Sequence, residues 1–215
     1  MNSICQLFIT DENISTTLCV HNYRSFLEGN NEQQLFILKL YDSTGKWLKS
    51  HSFLLKDNEH TTITLSNNFS DKNNKIGLAV LSSEFGNPHF YSLYTDGTSL
   101  AMIHPQMKVP PKQVDSDWTS TQTINTTNLS ELRIYQANPT QSEVTSVYHL
   151  FNVRNDTTPC AINVVKTPSM SANYTTFTKF DHENVKLWTP RIICGNGKAL
   201  IMRRYKSGLW TMNHG

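Results

Sequence analysis

A chain of 215 residues, 38% hydrophobic and 17% charged, is long enough for one large β domain or two small ones, and it can bury a core without metal or disulfide staples. Nine glycines and eight prolines with no G-X-Y period exclude collagen-like and low-complexity classes, and no uninterrupted run of about 18 apolar residues offers a membrane-spanning helix. A formal charge of +2, with Lys and Arg scattered along the length, provides no basic stripe for phosphate neutralisation, so no nucleic-acid partner is expected.

The N-terminus, Met1 to Phe8, has neither the positive n-region nor the apolar stretch of a secretory signal, and a soluble cytoplasmic protein is expected, with export lacking a cleavable signal as the alternative. Four cysteines, Cys5, Cys19, Cys160 and Cys194, form no C-x-x-C pair, the spacing that lets two thiolates share a zinc or a redox bond from one turn. Structural thiols are therefore expected. A hairpin turn at Asp11, Glu12 and Asn13 would set Cys5 and Cys19 opposite each other across two strands as reduced, half-buried thiols. Several N-x-S/T patterns, such as Asn125-Thr126-Thr127 and Asn155-Asp156-Thr157, are what an Asn- and Thr-rich chain produces by chance.

β-Branched and aromatic residues cluster in short runs broken by Asn, Asp, Gly and Ser, which predicts strands over Ile4 to Thr10, Thr16 to Arg24, Gln34 to Tyr41, Lys46 to Leu55, His60 to Ser66, Lys75 to Ser82, His89 to Thr95 and Thr98 to His104. Asp42-Ser43-Thr44-Gly45 supplies a turn with a glycine for positive φ, and Asp96-Gly97 reads as a two-residue hairpin loop. The sheet is therefore expected to be antiparallel. Apolar residues alternate with Thr in Thr61 to Leu65, whereas Leu35 to Leu40 is apolar almost throughout and should form a central strand. No window carries a helical period over three turns.

Between Pro105 and Ser130 the pattern disappears, and Pro110-Pro111, Asp115 to Asp117 and Thr119 to Thr127 read as a linker or crossing loop. Strands resume over Leu132 to Gln136, Thr145 to Arg154, Cys160 to Lys166, Tyr174 to Phe180, Asn184 to Trp188, Arg191 to Cys194, Lys198 to Tyr205 and Leu209 to His214.

The two halves echo each other. Tyr94-Thr95-Asp96-Gly97 with Met102-Ile103-His104 is matched by Tyr205-Lys206-Ser207-Gly208 with Met212-Asn213-His214, after a one-residue slip. The fold class expected is all-β, with two tandem, duplicated antiparallel β-sandwich units over 1–104 and 131–215, joined by 105–130 and related by a pseudo-twofold axis.

A strand sets Met102 and His104, or Met212 and His214, on one face, and a thioether beside an imidazole suits copper or nickel. Two such ligands are too few alone, and thioethers at strand ends also fill cores, so no metal or other cofactor is assigned. His104, His214 and the neighbouring His89 are the weak catalytic candidates. No G-x-S-x-G elbow, H-E-x-x-H or phosphate cradle is present, and Gly195 to Lys198 reads as a turn between strands. The better lead is aromatic: Trp47, Trp188, Trp210, Tyr94 and Tyr205 lie at strand ends or beside turns, where rings stack on sugars or anchor proteins, and Arg203 and Arg204 could hold an anionic group.

Three functions are carried forward. The first is a non-enzymatic binding or assembly module for a protein or glycan, with a homodimer formed through edge strands. The second is an enzyme with a histidine acid/base or metal site between the repeats, which requires His104 and His214 to meet. The third is a small-molecule sensor or carrier using an enclosed apolar pocket.

Overall fold

Period-two alternation of apolar side chains gives each strand one face for a core, and most of the described backbone is spent this way. The computed structural model describes residues 2–10, 13–22, 33–65, 75–84, 88–107, 118–119, 123–153, 157–180, 187–193 and 199–214. Expectations resting on Asp11 and Glu12, Arg24, Pro110-Pro111, Asp115 to Asp117, Arg154, Cys194 and Gly195 to Lys198 lie outside the described residues. In chain order the strands are β1 (Asn2–Ile9), β2 (Ser15–His21), β3 (Gln34–Asp42), β4 (Trp47–Leu55), β5 (His60–Leu65), β6 (Ile76–Ser83), β7 (Phe90–Thr95), β8 (Leu100–Ile103), β9 (Gln106–Met107), β10 (Trp118–Thr119), β11 (Ile124–Asn125), β12 (Leu129–Asn138), β13 (Val144–Asn152), β14 (Ala161–Thr167), β15 (Ser171–Phe177), β16 (Leu187–Ile193), β17 (Leu200–Tyr205) and β18 (Trp210–His214).

The protein is all-β and antiparallel, built as two β-sandwich units in tandem. The first sandwich stacks sheet β4-β3-β6-β1-β9 on sheet β5-β2-β7-β8; the second stacks β10-β16-β13-β14, with β11 also on β16, on β15-β12-β17-β18. Strand for strand, β5-β2-β7-β8 has the same order as β15-β12-β17-β18, and β4-β3-β6 the same order as β14-β13-β16. Ile4, Phe8, Leu18, Phe36, Leu38, Leu81 and Phe90 fill the first interior. Leu132, Ile134, Tyr148, Leu150, Trp188 and Ile201 fill the second. The apolar run Leu35 to Leu40 lies in β3, flanked by β4 and β6, as expected for an interior strand.

Three details depart from the sequence reading. β16 is one strand where two were expected, with Pro190 inside it. Its described partners on one side, β10 and β11, pair at Arg191 and Ile192 and at Leu187 and Trp188. Pro190 falls between these pairings, where its missing N–H forfeits no ladder bond on that side. The segment 105–130 is also more than a connector, since β9 adds to the edge of β1 and β10 and β11 add to β16. Finally, Cys5 and Cys19 do not oppose each other, because β1 pairs with β6 and β2 with β5 and β7 in the other sheet. Cys5 is buried with Leu78, Val80 and Ala137.

That last cluster belongs to a seam between the units. Leu7, Ile9 and Ile76 of the first sheet, together with Tyr94, Ala101 and Ile103, pack against Tyr135, Ala172, Leu200, Met202, Trp210 and Met212 of the second sandwich. β1 and β6 are consequently buried on both faces, one toward their own sandwich and one toward the seam. A two-fold axis would bring the same surface of each unit together. Here β1 and β6 of the first unit meet β12 and β15 of the second, whose counterparts in the first unit, β2 and β5, lie in the opposite sheet, while β8 meets its own counterpart β18. The pseudo-twofold expectation is therefore corrected: the β1–β12 and β6–β15 contacts join non-equivalent strands, so a twofold axis does not relate the units throughout, although the equivalent strands β8 and β18 do meet.

Candidate functional site

The seam is sealed where the hairpins β7–β8 and β17–β18 touch. The first hairpin closes with Thr95 opposite Leu100, so its loop is Asp96 to Ser99 and not the two-residue turn the Asp-Gly pair suggested. Gly97 takes φ +90° there. The Asp96 carboxylate organises the loop by accepting from the Thr98 amide at 2.9 Å, the Thr98 hydroxyl at 2.8 Å and the Ser99 amide at 2.7 Å. Its second oxygen accepts the Trp210 indole N–H at 2.8 Å, and the Trp210 amide donates to the Ser99 hydroxyl at 3.1 Å. A turn of one unit thus holds the anchor residue of the other.

Desolvation pushes the Asp96 carboxyl up, but the four hydrogen bonds from Ser99, Thr98 and Trp210 outweigh it and hold the group well below the usual carboxylate range. A carboxylate depressed on folding contributes stability that is present above its unfolded pKa and lost as pH falls through its folded pKa. The advantage of the native protein over Asp96→Asn should therefore hold from neutral pH to about pH 5 and shrink steadily below about pH 4. Urea midpoints of both proteins across that range check this; curves that stay parallel would remove Asp96 from the seam's electrostatics.

At the other end of the same strands, the His104 and His214 rings lie 4.4 Å apart between centroids, tilted by 44°. The structure thus brings together the two histidines whose meeting the enzyme reading required. His89 is close by: its ring meets Tyr91 edge-on at 5.1 Å, and burial, followed by the charges of His104 and His21, holds its imidazole below the usual value. The methionines do not join them. Met102 is 65% exposed on the outer face of β8, while Met212 is 7% exposed inside the seam. Among the described residues no three His, Cys, Asp or Glu side chains converge to hold a metal ion.

The aromatic platform expected from sequence is not assembled. Tyr94 is fully buried, donates its hydroxyl to the Leu7 carbonyl at 2.6 Å and has its phenol pushed up by burial. Trp188 is core to the second sandwich, Trp210 is 3% exposed in the seam, and Tyr205 packs half-buried on the second core. Trp47 stands apart on β4, 57% exposed, its indole donating to the Ser50 hydroxyl at 3.2 Å. Arg203 is half-buried and donates to Asn213 at 3.3 Å; Arg204 is half-buried too, opposite Trp210 in the β17–β18 ladder. The correction has a physical reason: rings at strand ends here fill two sandwiches and the seam between them. A cleft of about 530 Å³ opens at the hairpin tips, lined by Ser99, Tyr205, Lys206, Leu209 and Trp210 among others. It is a surface groove and not the enclosed pocket a carrier needs.

What sequence reasoning missed is the outer face of β5-β2-β7-β8. Cross-strand rows there read Thr64-Thr17-Leu93-Met102 and Thr62-Cys19-Tyr91, with Thr95 opposite Leu100. Thr17 and Thr64 share a hydroxyl hydrogen bond at 3.0 Å. Leu100 is 67% exposed, Met102 nearly as much, and Tyr91 is exposed beside them. The signal lay in Leu100-Ala101-Met102-Ile103, an edge strand apolar on both faces: Ala101 and Ile103 enter the seam and the other two have no core to enter. No helix among the described residues is long and apolar enough to cross a membrane. A comparison of the chain with known protein families and with curated proteins finds no match.

Proposed function

We propose that this chain is a non-enzymatic assembly module that engages a protein through the outer face of β5-β2-β7-β8. One observation carries the reading. The sheet with the same strand order in the second sandwich has its outer face buried under the first, with Trp210 and Met212 covered, whereas Leu100 and Met102 on the first remain in water. Contiguous exposed apolar surface of this kind marks interaction sites. Its two-sided burial elsewhere in the same molecule indicates what it is suited to receive, another β-sheet face. We read the two sandwiches as copies of one unit, supported by the shared strand order and the Met-x-His echo. The glycan version is the weaker one, because the rings it needed are mostly interior.

A photoreactive phenylalanine analogue placed at position 102, and at the exposed position 47 as control, tests the reading in cells that express the chain. Adducts to a protein are expected from position 102 and not from 47. Equal yields from both, or none from 102, would overturn it.

A second reading, an enzyme using His104 and His214 as acid/base groups, is favoured by their 4.4 Å ring separation. Neither ring lines the hairpin-tip cleft, so that geometry supplies a proton relay pair without a substrate site. A turnover abolished by either His→Ala variant at unchanged thermal stability would promote it.

A further inference from the structure

We infer that the cleft at the hairpin tips is a binding site for a carboxylate carried on an apolar body. This site is independent of the assembly reading.

The template for it is inside the molecule, because the β3–β4 and β17–β18 turns share one backbone form. In the first, the Asp42 amide donates to the Lys46 carbonyl and the Gly45 amide to the Asp42 carbonyl, both at 3.0 Å. In the second, the Tyr205 amide donates to the Leu209 carbonyl and the Gly208 amide to the Tyr205 carbonyl, both at 2.9 Å. Gly45 and Gly208 are left-handed alike, at φ +84° and +88°. Tyr205 therefore stands in the place of Asp42, Ser207 in that of Thr44 and Leu209 in that of Lys46.

The two turns differ in the acceptor. One Asp42 oxygen takes the Thr44 amide at 2.8 Å, the Thr44 hydroxyl at 2.6 Å and the Lys46 amide at 3.0 Å. The β17–β18 turn keeps the same donor set, the Ser207 amide and hydroxyl and the Leu209 amide, with a phenol in place of the carboxylate. That ring packs on the second core and leaves the donors uncapped. The Leu209 amide reaches only the Ser207 hydroxyl oxygen, at 3.4 Å, and the Ser207 amide has no acceptor among the described residues. Amides aimed together in a turn form an anion-binding concavity.

The cleft lies at these donors. Its volume of about 530 Å³ falls in the range of small-molecule sites, about 300–1,000 Å³. Both units line it, with Ser99 from the first and Tyr205, Lys206, Ser207, Leu209 and Trp210 from the second, and no acid is among its lining residues. Lys206 is its cation, exposed and without a carboxylate partner among the described residues. The neighbouring Asp96 has both oxygens committed to Thr98, Ser99 and Trp210. Ser99 is only 8% exposed; its hydroxyl accepts the Trp210 amide at 3.1 Å, and its own proton has no acceptor among the described residues. A buried hydroxyl so placed calls for an acceptor from outside the chain. Leu209, 52% exposed, supplies the apolar wall.

Phenylacetate is the probe, with phenylacetamide as its neutral match and acetate as its truncated form, each titrated into the full isotope-labelled chain and followed by amide NMR shifts. Saturable downfield shifts at Ser207 and Leu209 are expected from phenylacetate, with weaker binding of acetate and no such shifts from phenylacetamide. Lys206→Ala should weaken phenylacetate binding about fivefold, the worth of one exposed ion pair. Tyr205→Asp should supply the chain's own carboxylate to the turn and abolish the shifts. Since Tyr205 also packs on a core, Ser207→Ala is the companion variant; it removes an exposed donor and should weaken binding without touching the fold. An acetylated, amidated glutamate distinguishes the source of the carboxylate. Tighter binding than phenylacetate points to a polypeptide side chain and weaker binding to a free organic acid, and both support the site. Equal shifts from phenylacetamide would overturn the inference, as would phenylacetate shifts absent from Ser207 and Leu209. Unchanged affinity in both Lys206→Ala and Ser207→Ala would overturn it too.

Discussion

Replacing Trp210 by alanine is expected to cost about 4 kcal/mol of folding stability, the range for truncating a large buried ring. The ring sits in the seam with Tyr94, Met202 and Met212, and its N–H satisfies an Asp96 oxygen. Removing it opens a cavity between two rigid sheets that cannot close over it, because each is fixed by its own sandwich. Trp47→Ala is the matched control. That ring is mostly in water, and its loss should stay within about 0.5 kcal/mol. Urea unfolding followed by far-UV circular dichroism separates them; similar midpoints for both variants would mean that the seam contributes little to stability.

Gly45→Ala should be the second most damaging single change. Gly45 has φ +84°, a left-handed conformation that costs a residue with a Cβ about 1–2 kcal/mol. The turn is already fully committed: one Asp42 carboxylate oxygen accepts from the Thr44 amide and hydroxyl and from the Lys46 amide. A Cβ at position 45 would also lie 2.1 Å from the Ser169 carbonyl oxygen, in the turn between β14 and β15 of the other unit. Backbone cannot be rotated out of the way, so the β3–β4 turn would have to leave the seam. Gly97 and Gly208 have nearly the same φ, with nothing within 4 Å of an added Cβ. Gly97→Ala and Gly208→Ala therefore report the conformational cost alone, about 1–2 kcal/mol each, and Gly45→Ala should exceed them at least twofold in its loss. Equal losses at all three positions would show that the Ser169 contact relaxes without cost.

Much of the fold was legible because β structure writes a local code. Thr61 to Leu65 alternates as an edge strand over a core must, and the Asp42 to Gly45 and Asp96-Gly97 pairs announce hairpins with glycine in the left-handed region. What remained hidden depends on which sheets meet. Tyr94 and Trp210 look alike in sequence as ring-bearing residues near turns, yet one is buried by its own sandwich's carbonyl and the other by a foreign aspartate. Alternation says that a strand has two faces, but does not say which face another unit will cover. For the same reason the link between Cys5 and Cys19 was misread: the turn after β1 crosses to the opposite sheet, and equal distance from a turn implies pairing only when a strand folds back beside itself. The meeting of His104 and His214 was foreseeable as a condition, since both end the last strand of a unit, but only the stacking of the units fulfils it.

The double burial of β1 and β6 makes the molecule's two topologies one thermodynamic body. These strands belong to the first sandwich by pairing, but one of their two faces packs against the second. Opening the second sandwich would strip those contacts and wet Leu7, Ile9, Leu78 and Val80, so a partly open state inherits most of the cost of complete unfolding without the gain in chain entropy. Cooperativity across the chain thus comes from a pair of central strands claimed by two cores, and the amides of β1 and β6 are expected to be the last to exchange with water.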